Sequence, residues 1–136
     1  MAVVLGRAKV IDRPQIGLTE YWVVNLPQYC GKVLVQKAGT TCPAHHHKRK
    51  HETFLVWRGR LKMVVDGEAV EMGPGDVLVL EQGRVHQFTA LGEDAVIFEF
   101  SGQHLEDDSY FTEEGMFEKV VAGARELTPP PWPYPS

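Results

Sequence analysis

With 136 residues, 43% of them apolar and 24% charged, and a net charge of −4, the chain has the composition of a globular domain that buries roughly two-thirds of its unfolded surface. Mild acidity gives no electrostatic reason to bind nucleic acid or an anionic membrane, and no apolar run approaches the roughly 20 residues needed to cross a bilayer. Cys30 and Cys42 have neither CxxC spacing nor the density of a disulfide scaffold, and Arg7 breaks any secretory leader, so reduced thiols and a cytoplasmic location are expected.

Residues 1–12 alternate weakly, as an edge strand stopped by Pro14. Tyr21–Leu26 and Gly31–Lys37 read as strands, and Ala38–Ala44 as a loop carrying Gly39 and Pro43. After a His-rich strand come Thr53–Trp57, a break around Arg58–Arg60, and Leu61–Val65. Asp66-Gly67 is a two-residue hairpin turn, because both residue types tolerate positive φ. Glu68–Met72, Asp76–Leu80, His86–Ala90 and Ala95–Phe100 follow, separated by glycine-bearing turns. Eight or nine short strands with no helix before residue 110 predict an all-β antiparallel sandwich or barrel. Apolar residues at Met116, Phe117, Val120 and Val121 predict one short helix within Glu113–Glu126. Residues 1–128 are expected to form a single domain, with 129–136 a Pro-rich tail that either engages a partner's aromatic groove or packs Trp132 and Tyr134 on this or a neighbouring subunit.

The chemistry concentrates between Gly39 and Gly59. His45 and His47 are two apart, so an extended strand sends both imidazoles from one face, and Glu52 opens the following apolar run. If these two strands form a hairpin, two imidazoles and a carboxylate converge. Downstream, His86 begins a strand just after the Gly83 turn and supplies a third imidazole. Three histidines and one carboxylate leave open positions on a divalent ion, and the set suits Mn, Fe, Co, Ni or Zn. His46 and His51 are expected to point away from the ion by strand alternation or to sit in the turn, and Phe54, Val56 and Phe88 share parity with the ligands as apolar walls.

Gly39-x5-His45-x-His47-x4-Glu52-x6-Gly59 and Gly75-x5-Glu81-x-Gly83-x2-His86 resemble the two motifs of the cupin family, with Glu81 in place of the usual proline and Ala90 in place of the usual asparagine. The resemblance covers residues 31–100. It implies a small conical jelly-roll barrel with the metal inside, held by His45, His47, Glu52 and His86. The run from His45 to Glu68, the block around His86, and Phe98–Phe111 are further similar to D-lyxose isomerase-type sugar cupins and to the cupin domain of sialic-acid-synthase-type proteins. That narrower resemblance draws attention to Glu99, His104, Asp108, Ser109 and Tyr110. The family's usual acidic pair is Phe98-Glu99 here, so one carboxylate remains.

The function this implies is metal-dependent aldose–ketose isomerisation of a free pentose or hexose, with Mn the first choice of ion by resemblance. Glu99 is the expected base that moves a proton between C2 and C1, and Lys48 or His104 is expected to assist between the oxygens. Lys48, Arg49 and Lys50 read most simply as a solvated hairpin tip. One of Gln36 and Lys37 is expected to face inward. The alternatives are a sugar-binding cupin without catalysis and a non-haem iron dioxygenase, for which the same ligand set is adequate. An edge strand and the tail in so small a barrel also predict a homodimer.

Overall fold

The computed structural model describes residues 5–132. Ten strands make one antiparallel sheet that curls on itself. They are β1 (Lys9–Arg13), β2 (Leu18–Asn25), β3 (Cys30–Gln36), β4 (Thr41–His46), β5 (Glu52–Val65), β6 (Glu68–Met72), β7 (Val77–Leu80), β8 (His86–Ser101), β9 (Tyr110–Phe111) and β10 (Arg125–Glu126). The spatial order runs β10-β1-β2-β3-β8-β4-β9, and β5 bonds to β6, β7 and β8. Ahead of residue 110 the described chain has only one-turn 3-10 helices, at Pro14–Ile16 and Glu106–Asp108.

β8 is the spine. Its first half lies between β4 and the end of β5, with His86 opposite both His45 and Val65. Its second half lies between β3 and the start of β5, so Glu99 faces Lys32 on one side and Phe54 on the other. Two pairs of expected strands are therefore single long strands. The Arg58–Arg60 break is a bulge inside β5, where the ladder shifts register and resumes. Gly59 makes this possible: its φ is 77°, and a Cβ there would sit 2.6 Å from the carbonyl oxygen of Asp94. The Asp66-Gly67 turn closes β5 onto β6 with both residues at positive φ, as expected.

Alternation then sorts the side chains. Phe54, Val56, Leu61, Met63, Phe88 and Ile97 are buried in the barrel interior, with Leu34 and Leu80 closing its sides. The expected apolar walls Phe54, Val56 and Phe88 are all among them. Gln36 also turns inward, where its Nε2 donates to the Ile16 carbonyl at 2.7 Å, while Lys37 stays outside. The C-terminal segment is less helical than its stripe suggests. A π-helical turn at Glu118–Ala122 buries Val120, and Arg125–Glu126 then leaves the helical path to pair with β1. Gly123, at the end of that turn, marks the switch. Trp132 packs edge-on against Tyr21, its ring centroid 5.8 Å away, so this part of the tail lies on its own barrel. Tyr134 falls outside the described residues. Both cysteines are free and buried, and no helix of the described residues is long and apolar enough to cross a membrane.

Candidate metal centre

β4, the turn after it, and the first residue of β8 bring three imidazoles together. The nitrogens of His45, His47 and His86 that face one another all lie within 4.8 Å, and the three rings are buried. β4 does not pair with β5, so the expected hairpin is absent. Instead β8 bonds to both strands and serves as the common frame. Glu52, at the start of β5, reaches the cluster from the opposite side. Its Oε2 lies 3.2 Å from His86 Nε2, and its Oε1 lies 3.6 Å from His47 Nε2.

Hydrogen bonding fixes the tautomers. Nδ1 of His45 meets the Pro43 carbonyl at 2.7 Å, Nδ1 of His47 the Asp108 carbonyl at 2.9 Å, and Nδ1 of His86 the Arg84 carbonyl at 3.0 Å. A carbonyl only accepts, so each Nδ1 carries the proton, and in the neutral ring Nε2 keeps its lone pair. His86 Nε2 is buried without an aligned hydrogen-bond partner. Burial, followed by the neighbouring imidazoles, pulls His45 well below the ordinary histidine range. Burial likewise takes His47 down to about 4, despite the Glu52 carboxylate. For His86 the Glu52 carboxylate outweighs burial and leaves the ring raised. Burial opposes ionisation of Glu52, but Lys50 and the imidazoles overcome it and hold the carboxyl well below its usual range. Two neutral imidazoles, a third beside an ionised carboxylate, and an orphaned Nε2 are a donor set that fits a divalent cation.

Beside this cluster is a cation that the sequence reading left in solvent. Lys50 is only 4% exposed, and its Nζ lies 3.2 Å from Glu52 Oε1, 3.1 Å from Glu99 Oε2 and 3.1 Å from His104 Nδ1. Three donors meet three acceptors, and the two carboxylates raise the ammonium above the usual lysine range against the cost of burial. Because Lys50 donates to Nδ1, neutral His104 carries its proton on Nε2, which points at Glu106 Oε1 at 3.3 Å. Burial and then Lys32 keep His104 below its ordinary value. Lys48, by contrast, is exposed, with Nζ 4.3 Å above the Tyr110 ring on the outside. Its expected role at the reacting oxygens is therefore corrected: residues 48 and 50 share parity, but the turn between β4 and β5 sends 50 inward. The turn is held by Asp108, whose carboxylate accepts from the backbone N–H groups of Lys48, Arg49 and Lys50 at 3.0–3.3 Å. The last position of the basic run carried one available signal, since it stands two residues before the carboxylate it pairs with.

Glu99 is 3% exposed and points into the same cavity, with Oε2 fixed by Lys50 and by Ser101 Oγ at 3.0 Å. The segment after β8 crosses the barrel mouth. Asn25 and the His104 backbone exchange two hydrogen bonds there, and β9 pairs with His45 and His46 of β4. His46 stacks on Tyr110 and takes no part in the cluster, as expected. A further group of buried charges completes the wall: Arg13 Nε lies 2.6 Å from Glu20 Oε2, Lys32 Nζ 3.1 Å from Glu20 Oε1, and Arg13 also reaches Glu106 at 3.0 Å. Nothing in the spacing of residues 13, 20 and 32 announces them; only the β1–β2–β3 register brings them together. The cavity these side chains line is small, with about 50 Å³ of free space.

Residues 31–101 match the cupin domain family, which is more than half of the chain. The D-lyxose/D-mannose isomerase of Thermosediminibacter oceani is 30% identical over 129 residues, covering 75% of this chain and 71% of that protein. The D-lyxose ketol-isomerase of a Thermofilum species is 27% identical over 124 residues, covering 71% and 69%. Among solved structures, the L-ribose isomerase of Cellulomonas parahominis with L-psicose superposes with a TM-score of 0.66 at 17% identity, over 71% of this chain and 70% of that one, a likeness of fold.

Proposed function

This chain belongs to the cupin domain family, and on that footing we propose that it is a metal-dependent aldose–ketose isomerase of the D-lyxose/mannose type, working on an unphosphorylated sugar. The observation that carries the reading is the convergence of the His45, His47 and His86 lone pairs beside Glu52, with a second carboxylate, Glu99, across the same cavity. In the proposal, His45, His47, Glu52 and His86 hold one divalent ion, Mn first among Mn, Fe, Co, Ni and Zn. A bound ion of that kind supplies a Lewis acid that polarises a sugar carbonyl and makes the neighbouring C–H proton more acidic.

The remaining work belongs to the chain. Glu99 takes the proton from C2 of the aldose and returns it to C1 through an enediol, while the hydroxyl proton on O2 passes to O1. Ser101 and Lys50 pin its Oε2, so the carboxylate is held in one orientation for that transfer. Lys50 also ties Glu99 to Glu52, which keeps base and ion site in fixed register. His104, held between Lys50 Nζ and Glu106 Oε1, assists the passage of the hydroxyl proton between the two sugar oxygens. Support comes from the two isomerase relatives and from the two buried carboxylates, Glu52 and Glu99, that line one cavity with the three imidazoles. We further infer a cytoplasmic setting, in keeping with two free thiols.

The test is anaerobic incubation of Mn-loaded protein with a panel of aldoses in D2O, followed by NMR. Deuterium at C2 and a growing ketose signal, both lost in His45→Ala, are the expected result and identify the sugar. Metal retained without exchange on any aldose overturns the isomerase reading.

A further inference from the structure

Two lysines reach the cavity from different parts of the chain, and their hydrogen bonding is unequal. Lys50 meets three acceptors with its three donors. Lys32, on β3, is 4% exposed and lines the same cavity. Its Nζ donates to Glu20 Oε1 at 3.1 Å, and on another side it faces the Trp22 ring, 4.6 Å from the centroid. Among the described residues no second oxygen or nitrogen accepts from it. An ammonium carries three donors, so at least one N–H of this buried cation lacks an acceptor. A donor buried in that state costs free energy, and a charged one costs more than a neutral one. A ligand oxygen entering the cavity removes that cost.

Register places that donor beside the candidate base. Trp22, Lys32, Glu99 and Phe54 are successive partners across β2, β3, β8 and β5. Side chains directly opposite in an antiparallel ladder start about 4.5–5.5 Å apart at Cβ, so Lys32 springs from next to Glu99. Its ammonium is nonetheless drawn to Glu20, which also accepts from Arg13 Nε at 2.6 Å and from Trp22 Nε1 at 2.9 Å. Glu99 Oε2 takes its donors from Lys50 and Ser101 instead. Lys32 therefore adjoins the base without forming an ion pair with it. Glu52 arrives from β5, on the other edge of β8, so the base stands between the candidate ion ligand and Lys32. The charges around Lys32 also balance: Arg13 and Lys32 are matched by Glu20 and Glu106. This wall offers a donor without net positive charge, which suits a hydroxyl better than a phosphate or a carboxylate.

We propose that Lys32 determines specificity: its spare N–H donates to a hydroxyl oxygen of the sugar chain beyond C2. The site then takes a polyhydroxy chain that carries oxygen at that carbon and rejects the analogue lacking it, because rejection leaves the buried donor unpaired. The numbering of the carbons rests on the isomerase reading; the contact with a polyol does not.

The test sets the aldose identified by exchange in D2O against its analogues deoxygenated at single carbons beyond C2. It uses the native chain, Lys32→Met and, as a control, Lys9→Met, an exposed lysine 5.2 Å from the same Trp22 ring. In parallel, calorimetry on the Mn-loaded chain measures binding of D-arabinitol, D-mannitol and their deoxy forms, which cannot isomerise. In the native chain and the control, one deoxy analogue should lose about 10–100-fold in kcat/KM, the worth of a hydrogen bond to a charged group. That ratio should approach one in Lys32→Met, and the alditol affinities should follow it. Lys32→Arg keeps a cation against Glu20 should the Met variant misfold; its planar fork is spent on the carboxylate, so the ratio falls there too. A native chain that treats every deoxy analogue like its parent, or a folded Lys32 variant that keeps the native ratio, overturns the proposal. If no aldose exchanges but the alditols bind with that ratio and Lys32→Met loses it, the isomerase reading falls and the role of Lys32 stands. Neither exchange nor alditol binding overturns both.

Discussion

The ammonium of Lys50 stands 3.1 Å from Oε2 of Glu99 and, on its other side, 3.2 Å from Oε1 of Glu52, joining the candidate base to the candidate metal site in the barrel interior. Lys50→Met keeps the stem's volume and removes the charge, leaving two buried carboxylates without their cation. Removal of one partner from a buried ion pair costs about 3–5 kcal/mol. The expected outcome is a loss of that order in urea unfolding, with isomerisation lost as well. Lys48→Met, at the exposed Tyr110 contact, should change stability by less than about 0.5 kcal/mol and leave turnover intact.

Glu99→Gln separates an enzyme from a binding module. The amide keeps the size of the side chain and its hydrogen bond from Ser101, but cannot accept the C2 proton. A missing general base lowers turnover by about 10²–10⁴-fold, while metal content measured by mass spectrometry stays at one ion per chain. Sugar affinity should change little. Full activity in this variant would remove Glu99 from the chemistry and leave Glu52 or His104 to account for proton transfer.

The Arg13–Glu20–Lys32 cluster sets an acid limit on the fold. Burial disfavours the Glu20 anion, but Lys32 and Arg13 overcome it and hold the carboxyl well below its ordinary 4.5. A carboxyl depressed in the folded state binds fewer protons there than in the unfolded chain, so its contribution is present above 4.5 and is lost as pH falls through the folded value. Urea midpoints should therefore be flat above that pH and drop below it. Glu20→Gln should show a shallower acid drop and a lower plateau at neutral pH, since it leaves Arg13 and Lys32 without their buried anion.

Much of the barrel can be read from strand alternation and glycine turns, because each short strand signals itself locally. The ligand set is legible for the same reason: His45, His47 and Glu52 stand close in sequence, and His86 follows its own turn. What escapes is whatever depends on strands meeting at a distance. Two apparent strands fuse across Arg58–Arg60 because a bulge and a chain break leave the same local pattern. Lys50 looks like the neighbours on either side of it, and only the Asp108 carboxylate, 58 residues downstream, closes the turn that sends it inward. Arg13, Glu20 and Lys32 are ordinary charged residues until three strands pair.

Asp108 provides the last test, because it acts on the ion site without touching it. Its carboxylate gathers the N–H groups of residues 48–50, and its backbone carbonyl accepts Nδ1–H of His47 at 2.9 Å. The first interaction shapes the turn that inserts Lys50; the second fixes the His47 tautomer that leaves Nε2 free for a cation. Asp108→Ala removes the first directly and loosens the second through the local backbone. Hydrogen bonds to a charged group contribute about 1.5–3 kcal/mol, and loss of the support behind a metal-binding histidine weakens the ion by about 10–100-fold. Competition titration with a chromogenic chelator should show that weakening for the Asp108 variant, and only a small change for Tyr110→Phe in the same segment. An unchanged metal affinity would mean that β4 alone positions His47, and that Asp108 serves the turn and nothing else.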